Sequence, residues 1–223
     1  MNFFVTKIVE DSDVTYNLTV AGYVALAAVM LVVFAAGCMF RDKTKKMDAK
    51  QIAFCAMAMA LAVVTSMFKI IDMPMGGSVT LFSMLFIVLT GYWFGVRTGI
   101  TTAVAYGILQ LLINPYIISI WQMLMDYIFA FGALGLAGLF SNKKKGLIKG
   151  YIAGILGRYF FSFLSGWIFF AVYTPDFFNS AILYSLAYNG AYIGLEAAIT
   201  LIVLALPPVN EAMQAVKKLV CEA

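Results

Sequence analysis

Ser119-Ile-Trp-Gln-Met-Leu-Met-Asp-Tyr-Ile-Phe-Ala-Phe-Gly132, running on through Ala133-Leu-Gly-Leu-Ala-Gly-Leu-Phe140, is apolar over its length and carries one carboxylate, Asp126, with Tyr127 directly after it. A helix that crosses a bilayer needs about 20 predominantly apolar residues. A carboxylate inside one costs roughly 2.5–3.5 kcal/mol on insertion scales. Such a residue persists where a cation, a proton pathway or a buried partner offsets that cost. Asp126 is therefore the first residue to explain.

Outward from this stretch the same texture repeats. Seven apolar segments run over about 17–40, 51–71, 79–96, 99–117, 119–140, 148–173 and 180–206, joined by short connections. The 223 residues are 63% hydrophobic and 12% charged, whereas a soluble domain is about half apolar and about a quarter charged. Mean hydropathy is +0.94. These values predict an all-α polytopic membrane protein with no separate soluble domain. Histidine is absent, which removes the usual proton shuttle and metal ligand. Cys38, Cys55 and Cys221 show no metal-ligand spacing and read as packing residues or free thiols. No metal and no cofactor are expected.

Formal charge is +4, with the basic residues clustered at Arg41–Lys46, Arg97, Lys143–Lys149 and Lys217-Lys218. They fall on alternate connections, which reads as membrane topology and not as a nucleic-acid footprint. Glu10, Asp11, Asp13, Asp72 and Asp176 fall on the other side. The positive-inside rule then predicts an external N-terminus and a cytoplasmic C-terminus in the plasma membrane. Val33-Phe-Ala-Ala-Gly-Cys38 has some likeness to a lipoprotein cleavage site, but the acidic region before it and the long apolar run favour a retained helix.

The polar residues inside the segments fall on faces. Tyr106, Gln110 and Asn114 are spaced i, i+4, i+8 and form one helical stripe. Gln122 and Asp126 align with Ala133, and Arg158, Ser162 and Ser165 align with Phe169, Gly166 lying at the edge. Ser185, Asn189, Tyr192 and Glu196 share a stripe of about 60°, at 100° per residue. Each stripe is also what interhelical hydrogen bonding would produce. Depth tips the balance. On the expected topology Asn114, Tyr116, Gln122, Asp126, Tyr184 and Asn189 all lie toward the external end, with Tyr127, Phe169, Phe170 and Tyr173 beside them. An acid ringed by aromatics and amides suits a small organic cation. Arg158 either snorkels to the interface or pairs internally, with Glu196 as a candidate structural partner.

Met73-Pro-Met-Gly-Gly-Ser-Val-Thr80 reads as a tight turn, with a lid over the pocket as the alternative. It is not a phosphate loop, and no Gly-x-x-x-x-Gly-Lys-Ser/Thr occurs in the chain. Ala53, Ala56 and Ala60 form a smooth stripe where another helix can approach closely, inside the protein or from a partner.

Taken in order, Met-Pro-Met-Gly-Gly-Ser-Val-Thr (73–80), Tyr-Gly-Ile-Leu-Gln (106–110), Asn-Pro-Tyr (114–116) and Trp-Gln-Met-Leu-Met-Asp-Tyr (121–127) resemble the thiamine-binding S-components of energy-coupling factor (ECF) transporters. So do Leu-Gly-Leu-Ala-Gly-Leu-Phe (134–140), Arg-Tyr-Phe-Phe (158–161) and Tyr-Ser-Leu-Ala-Tyr-Asn-Gly (184–190). The resemblance covers about residues 50–206. It implies a six-helix bundle that captures thiamine from outside, and so a transport subunit with no catalytic residue. It also implies a partner module of one transmembrane scaffold subunit and two ATPase subunits. By family position the ligand residues are Asp126, Tyr127, Tyr116, Tyr184, Asn189, Gly166, Ser162 and Phe170. Ala53, Ala56 and Ala60 would meet the scaffold, although the family register pairs Ala53 with Met57.

Three departures stand out. Ser162 occupies the place of a family His, Phe170 lies near that of a Trp, and Asp126 is a methylene shorter than the usual Glu. A thiamine precursor, an analogue or another vitamin therefore remains an alternative ligand. Residues 1–46 add an external N-terminus, one extra transmembrane helix and a basic cytoplasmic loop to the 47–223 domain, which ends in a short cytoplasmic tail. The competing class is a stand-alone secondary transporter with Asp126 or Glu196 as proton carrier. An intramembrane enzyme lacks the necessary His, Ser/Lys pair or metal spacing.

Overall fold

A computed structural model of the chain describes residues 48–222, together with 5–10, 13–22, 24 and 28. Strands β1 (Val5–Glu10) and β2 (Asp13–Leu18) pair antiparallel, Val5 opposite Leu18 and Glu10 opposite Asp13. Most of the extra N-terminal helix expected over 17–40, and the basic loop after it, lie outside the described residues.

From residue 48 the fold is a helix bundle. Helices α1 (Ala49–Met67), α2 (Ser83–Phe94), α3 (Val96–Ile113), α4 (Ile120–Phe140), α5 (Gly146–Phe169) and α6 (Ala181–Ala205) correspond to the six segments of the expected domain. Five of them are long and apolar enough to cross a membrane. The exception is α2. It has 12 residues, about 18 Å of helix, where the apolar run 79–96 implied a full span. The first part of that run is spent on strand β4 (Ser78–Thr80) and on Phe82, whose left-handed backbone (φ 62°) breaks into the helix. In compensation α2 is buried on nearly every side. Met84, Ile87, Val88 and Leu89 form the bundle core with Ala62, Leu134, Tyr151 and Ile193.

Glycine lets the central helices touch backbone to backbone. A Cβ on Gly99 would lie 2.5 Å from Gly91 Cα, and one on Gly135 would lie 2.3 Å from Ile100 N. With little hydrophobic force between helices in lipid, close van der Waals packing of this kind carries their association. The residues read as a tail form a further helix, α7 (Pro207–Glu222). Val209 and Met213 pack on the core and Val220 is buried, so α7 closes one end of the bundle.

Glu196, on α6, is 4% exposed. It does not pair with Arg158: the one salt bridge among the described residues is Lys69–Asp72. Its carboxylate instead accepts from Thr80 N (3.1 Å), Thr80 Oγ1 (2.6 Å), Ser83 Oγ (3.3 Å) and Met84 N (3.2 Å). The N-cap Phe82 supplies no side-chain acceptor. A carboxylate from another helix thus caps α2, where the helix dipole favours negative charge. Glu196→Ala would leave these donors buried and unpaired, at about 2–3 kcal/mol. The expected drop in Tm is about 4–12 °C. An unchanged thermal unfolding curve would remove the capping role.

Candidate ligand-binding site

At one end of the bundle α3, α4, α5, α6 and the 69–80 hairpin enclose a cavity of about 420 Å³. That volume suits a small organic molecule. All eight residues expected at the ligand site line it: Tyr116, Asp126, Tyr127, Ser162, Gly166, Phe170, Tyr184 and Asn189. Four separate sequence stripes therefore converge on one space.

Local geometry places Asp126. Ser119 caps α4, its hydroxyl accepting from Gln122 N at 3.1 Å. One turn on, residues Leu124–Phe129 widen into a π-helical turn. Such wide turns recur at functional sites because they re-aim side chains and loosen the backbone ladder. Gln122, 1% exposed, donates from Nε2 to Asp126 Oδ2 (2.7 Å) and to Tyr116 O (3.1 Å), while its Oε1 accepts from Ile118 N (3.0 Å). Ser165 Oγ donates to the same Asp126 Oδ2 at 2.8 Å. Both bonds fall on one oxygen, and no hydrogen bond from the described residues reaches Oδ1. The carboxylate is thus oriented by its protein neighbours through one oxygen.

The Tyr127 hydroxyl is committed to the loop after α3. It accepts from Tyr116 N at 2.9 Å and donates to Asn114 O at 3.0 Å. What Tyr127 offers the cavity is its ring. Tyr116 stacks on Phe170 with centroids 5.8 Å apart and planes 22° from parallel. On α6, Tyr184, Tyr188 and Tyr192 follow at i, i+4, i+8 with successive centroids 5.8 and 5.7 Å apart. Asn189 donates to Ser185 O (3.0 Å) and accepts from Tyr192 Oη (3.0 Å). Gly166 has a packing reason of its own: a Cβ there would lie 2.4 Å from Ser185 Oγ and 2.9 Å from Asn189 Nδ2.

The hairpin of β3 (Lys69–Asp72) and β4 bounds the cavity through Met75, Gly76, Gly77 and Ser78. Tyr188 holds it, its hydroxyl accepting from Gly77 N at 3.0 Å and donating to Pro74 O. Met75 (φ 62°) and Gly76 (φ 87°) both have left-handed backbone, which makes the sharp reversal. The segment is therefore a structured turn at the cavity wall.

Among the lining residues that sequence reasoning did not assign to the ligand are Arg158, Phe131, Tyr188 and Ser165. Among the described residues Arg158 neither pairs with Glu196 nor sits in a salt bridge, and its buried Nε and Nη1 find no hydrogen-bond partner there; its guanidinium lies 4.2 Å over the Phe131 ring. Spacing alone points to Tyr188, four residues from Tyr184. Besides Glu196, which caps α2, two stripe members turn elsewhere. Ala133 packs with Met125, Ala130 and Phe161, and Phe169 joins the same cluster. For Ala133 the cause is the π turn, which adds a residue to the helical repeat and rotates everything beyond it.

Residues 52–216 match the thiamine transporter protein family (Thia_YuaJ). The chain belongs to that family. It is 35% identical over 165 residues to the thiamine transporter ThiT of Bacillus subtilis (strain 168), spanning 68% of this chain and 84% of the relative. Its fold is similar to that of ThiT from Listeria monocytogenes, with a TM-score of 0.58 over 71% of this chain and 94% of that one, at 24% identity. Membership of a thiamine transporter family makes this a multi-pass membrane protein of transport, not catalysis. The family match starts at residue 52, so the N-terminal segment lies outside it, as the sequence motifs implied.

Proposed function

We propose that this chain captures thiamine in the cavity beside Asp126, as the substrate-binding subunit of an ECF-type importer. One observation supports this reading above others: a carboxylate fixed through Oδ2 by Gln122 and Ser165, with Oδ1 unengaged by the described residues, among stacked aromatic rings. Thiamine carries a permanently cationic thiazolium and a hydrogen-bonding aminopyrimidine. Aromatic faces attract the cation by about 0.5–2 kcal/mol per contact, and a carboxylate is the strong acceptor that an amino group requires. Tyr116, Tyr127, Phe170 and Tyr184 supply rings in this assignment, Asn189 and Ser162 polar edges, and Gly166 room. Capture needs no covalent chemistry.

The cavity opens outward in this reading, since the lysine-rich connections lie at the opposite end of the helices. Energy comes from a scaffold subunit and two ATPase subunits, with Ala53, Ala56 and Ala60 on α1 as the docking surface. All three alanines are exposed, beside Ile52, Met57, Leu61 and Val64. Glu196, its oxygens engaged by four donors, suits a structural role better than that of a proton carrier.

Titration of the purified protein with thiamine, read by calorimetry and by the fluorescence of Trp93, Trp121 and Trp167, tests the ligand. Saturable binding is expected, Ser162 notwithstanding. No binding in protein shown to be folded would move the ligand to a precursor, an analogue or another vitamin. Uptake driven by a proton gradient without an ATPase module would overturn the importer assignment.

A further inference from the structure

The end of the bundle away from the Asp126 cavity holds a second and larger cavity, of about 1190 Å³. The two lie at opposite ends because the helices run between them: α5 starts at one with Gly146 and Leu147 and reaches the other with Gly166, while α6 runs from Tyr184 to Leu204. Six lysines line the second cavity: Lys50, Lys143, Lys144, Lys145, Lys217 and Lys218. The one carboxylate among the described lining residues, Asp48, is used at the start of α1, accepting from Gln51 N at 2.7 Å. Two ammonium groups are tied to the protein. Lys50 donates to Leu219 O at 3.1 Å, and Lys217 donates to Ser141 O and sits 4.1 Å over the Tyr92 ring. Lys143, Lys144 and Lys218 have neither a side-chain hydrogen bond nor an ion pair to the described residues.

Backbone charge adds to this. Helices α1, α4 and α6 take side-chain caps from Asp48, Ser119 and Ser180, and α2 takes one from Glu196. Helices α3 and α5 have none: their N-caps are Gly95 (φ 88°) and Lys145 (φ 54°), and both starts line this cavity. Each start presents free amides and the positive end of a helix dipole. The positive-inside rule accounts for lysines in a loop. It does not account for their convergence, from three parts of the chain, around one cavity with two uncapped helix starts.

We propose that this cavity binds a phosphate-bearing anion, either the headgroup of an anionic phospholipid or a free phosphate. Leu206 and Leu219, on or beside α7, are exposed, and would give acyl chains an apolar surface. The full chain, purified in a neutral detergent, tests this by thermal unfolding with short-chain phosphatidylglycerol, its phosphatidylcholine counterpart, and inorganic phosphate against chloride at equal ionic strength. Near-saturating phosphatidylglycerol is expected to raise Tm by about 3 °C or more, and phosphatidylcholine is not. The combined variant Lys143→Gln/Lys144→Gln/Lys218→Gln alters side chains without partners, so it should keep the parent Tm but lose most of the shift. The control Lys69→Gln, at the other end, should keep it. A shift with phosphate alone and no further gain from lipid identifies a soluble anion; a shift with lipid beyond that of phosphate identifies the headgroup. Equal shifts with both lipids, no shift with either anion, or a full shift in the triple variant would overturn the site. Should the triple variant unfold, Lys218→Gln alone carries the test, with a reduced shift expected.

Discussion

Asp126→Asn is expected to weaken thiamine binding by at least about tenfold, or 1.4 kcal/mol, in a protein that still folds. The local geometry explains both halves of that expectation. Gln122 Nε2 and Ser165 Oγ donate to one oxygen at 2.7 and 2.8 Å, and an asparagine keeps an oxygen there. What changes is the other position, where an acceptor becomes a donor and the charge is lost. Hydrogen bonds to charged groups contribute about 1.5–3 kcal/mol, so a cationic ligand that uses Oδ1 loses both the bond and the attraction. Calorimetric titration of the variant beside the parent reads the effect, with thermal unfolding as the check on folding. Unchanged affinity would mean that Asp126 is a structural carboxylate, and the proposed ligand geometry would fail with it.

The convergence of the site was legible because helical spacing survives translation into three dimensions. Tyr106, Gln110 and Asn114 were read as one stripe, and all three line the cavity. So do Ser185, Asn189 and Tyr192 from α6. Where the backbone departs from regular helix, the reading drifts. The π turn at Leu124–Phe129 kept Gln122 and Asp126 in register but rotated Ala133 into a different cluster. No residue type announces such a turn. Its surroundings do carry one trace: a Cβ on Gly107 would lie 1.8 Å from Tyr127 O, so α3 presents no side chain where the wide turn pushes its carbonyl outward.

Length misled for α2. Hydropathy counts apolar residues and cannot see that Thr80, Ser83 and Met84 are gathered by a carboxylate 112 to 116 residues later in the chain. Glu196 was read as a candidate partner of Arg158 for the same reason, since its actual partners are backbone amides and hydroxyls that carry no charge signal. Helix α7 was missed because it contains no long apolar run. It buries Val209, Met213 and Val220 against the core and leaves Lys217 and Lys218 at the lysine-lined cavity.

The second large effect is expected on α1, where binding and uptake should separate. Replacing Ala56 or Ala60 by Phe is expected to cut ATP-dependent uptake by at least about tenfold, the loss of some 1.4 kcal/mol at an interface, and to leave thiamine affinity unchanged. Within the chain the reason is exposure. Cys55, Ala58 and Ala62 face the core, whereas Ala53, Ala56 and Ala60 point away from it, and α1 is the least buried of the five long helices. These positions are exposed, so the fold and the cavity should tolerate a larger side chain there. At a helix–helix contact in lipid the same side chain has the opposite effect, because small residues are what allow the backbones to approach. Uptake in cells that also make the proposed scaffold and ATPase subunits, set beside calorimetry on the purified variants, distinguishes the outcomes. Loss of binding together with uptake would mean that the stripe supports the cavity from within. Full uptake with full binding would place the scaffold on another face of the bundle.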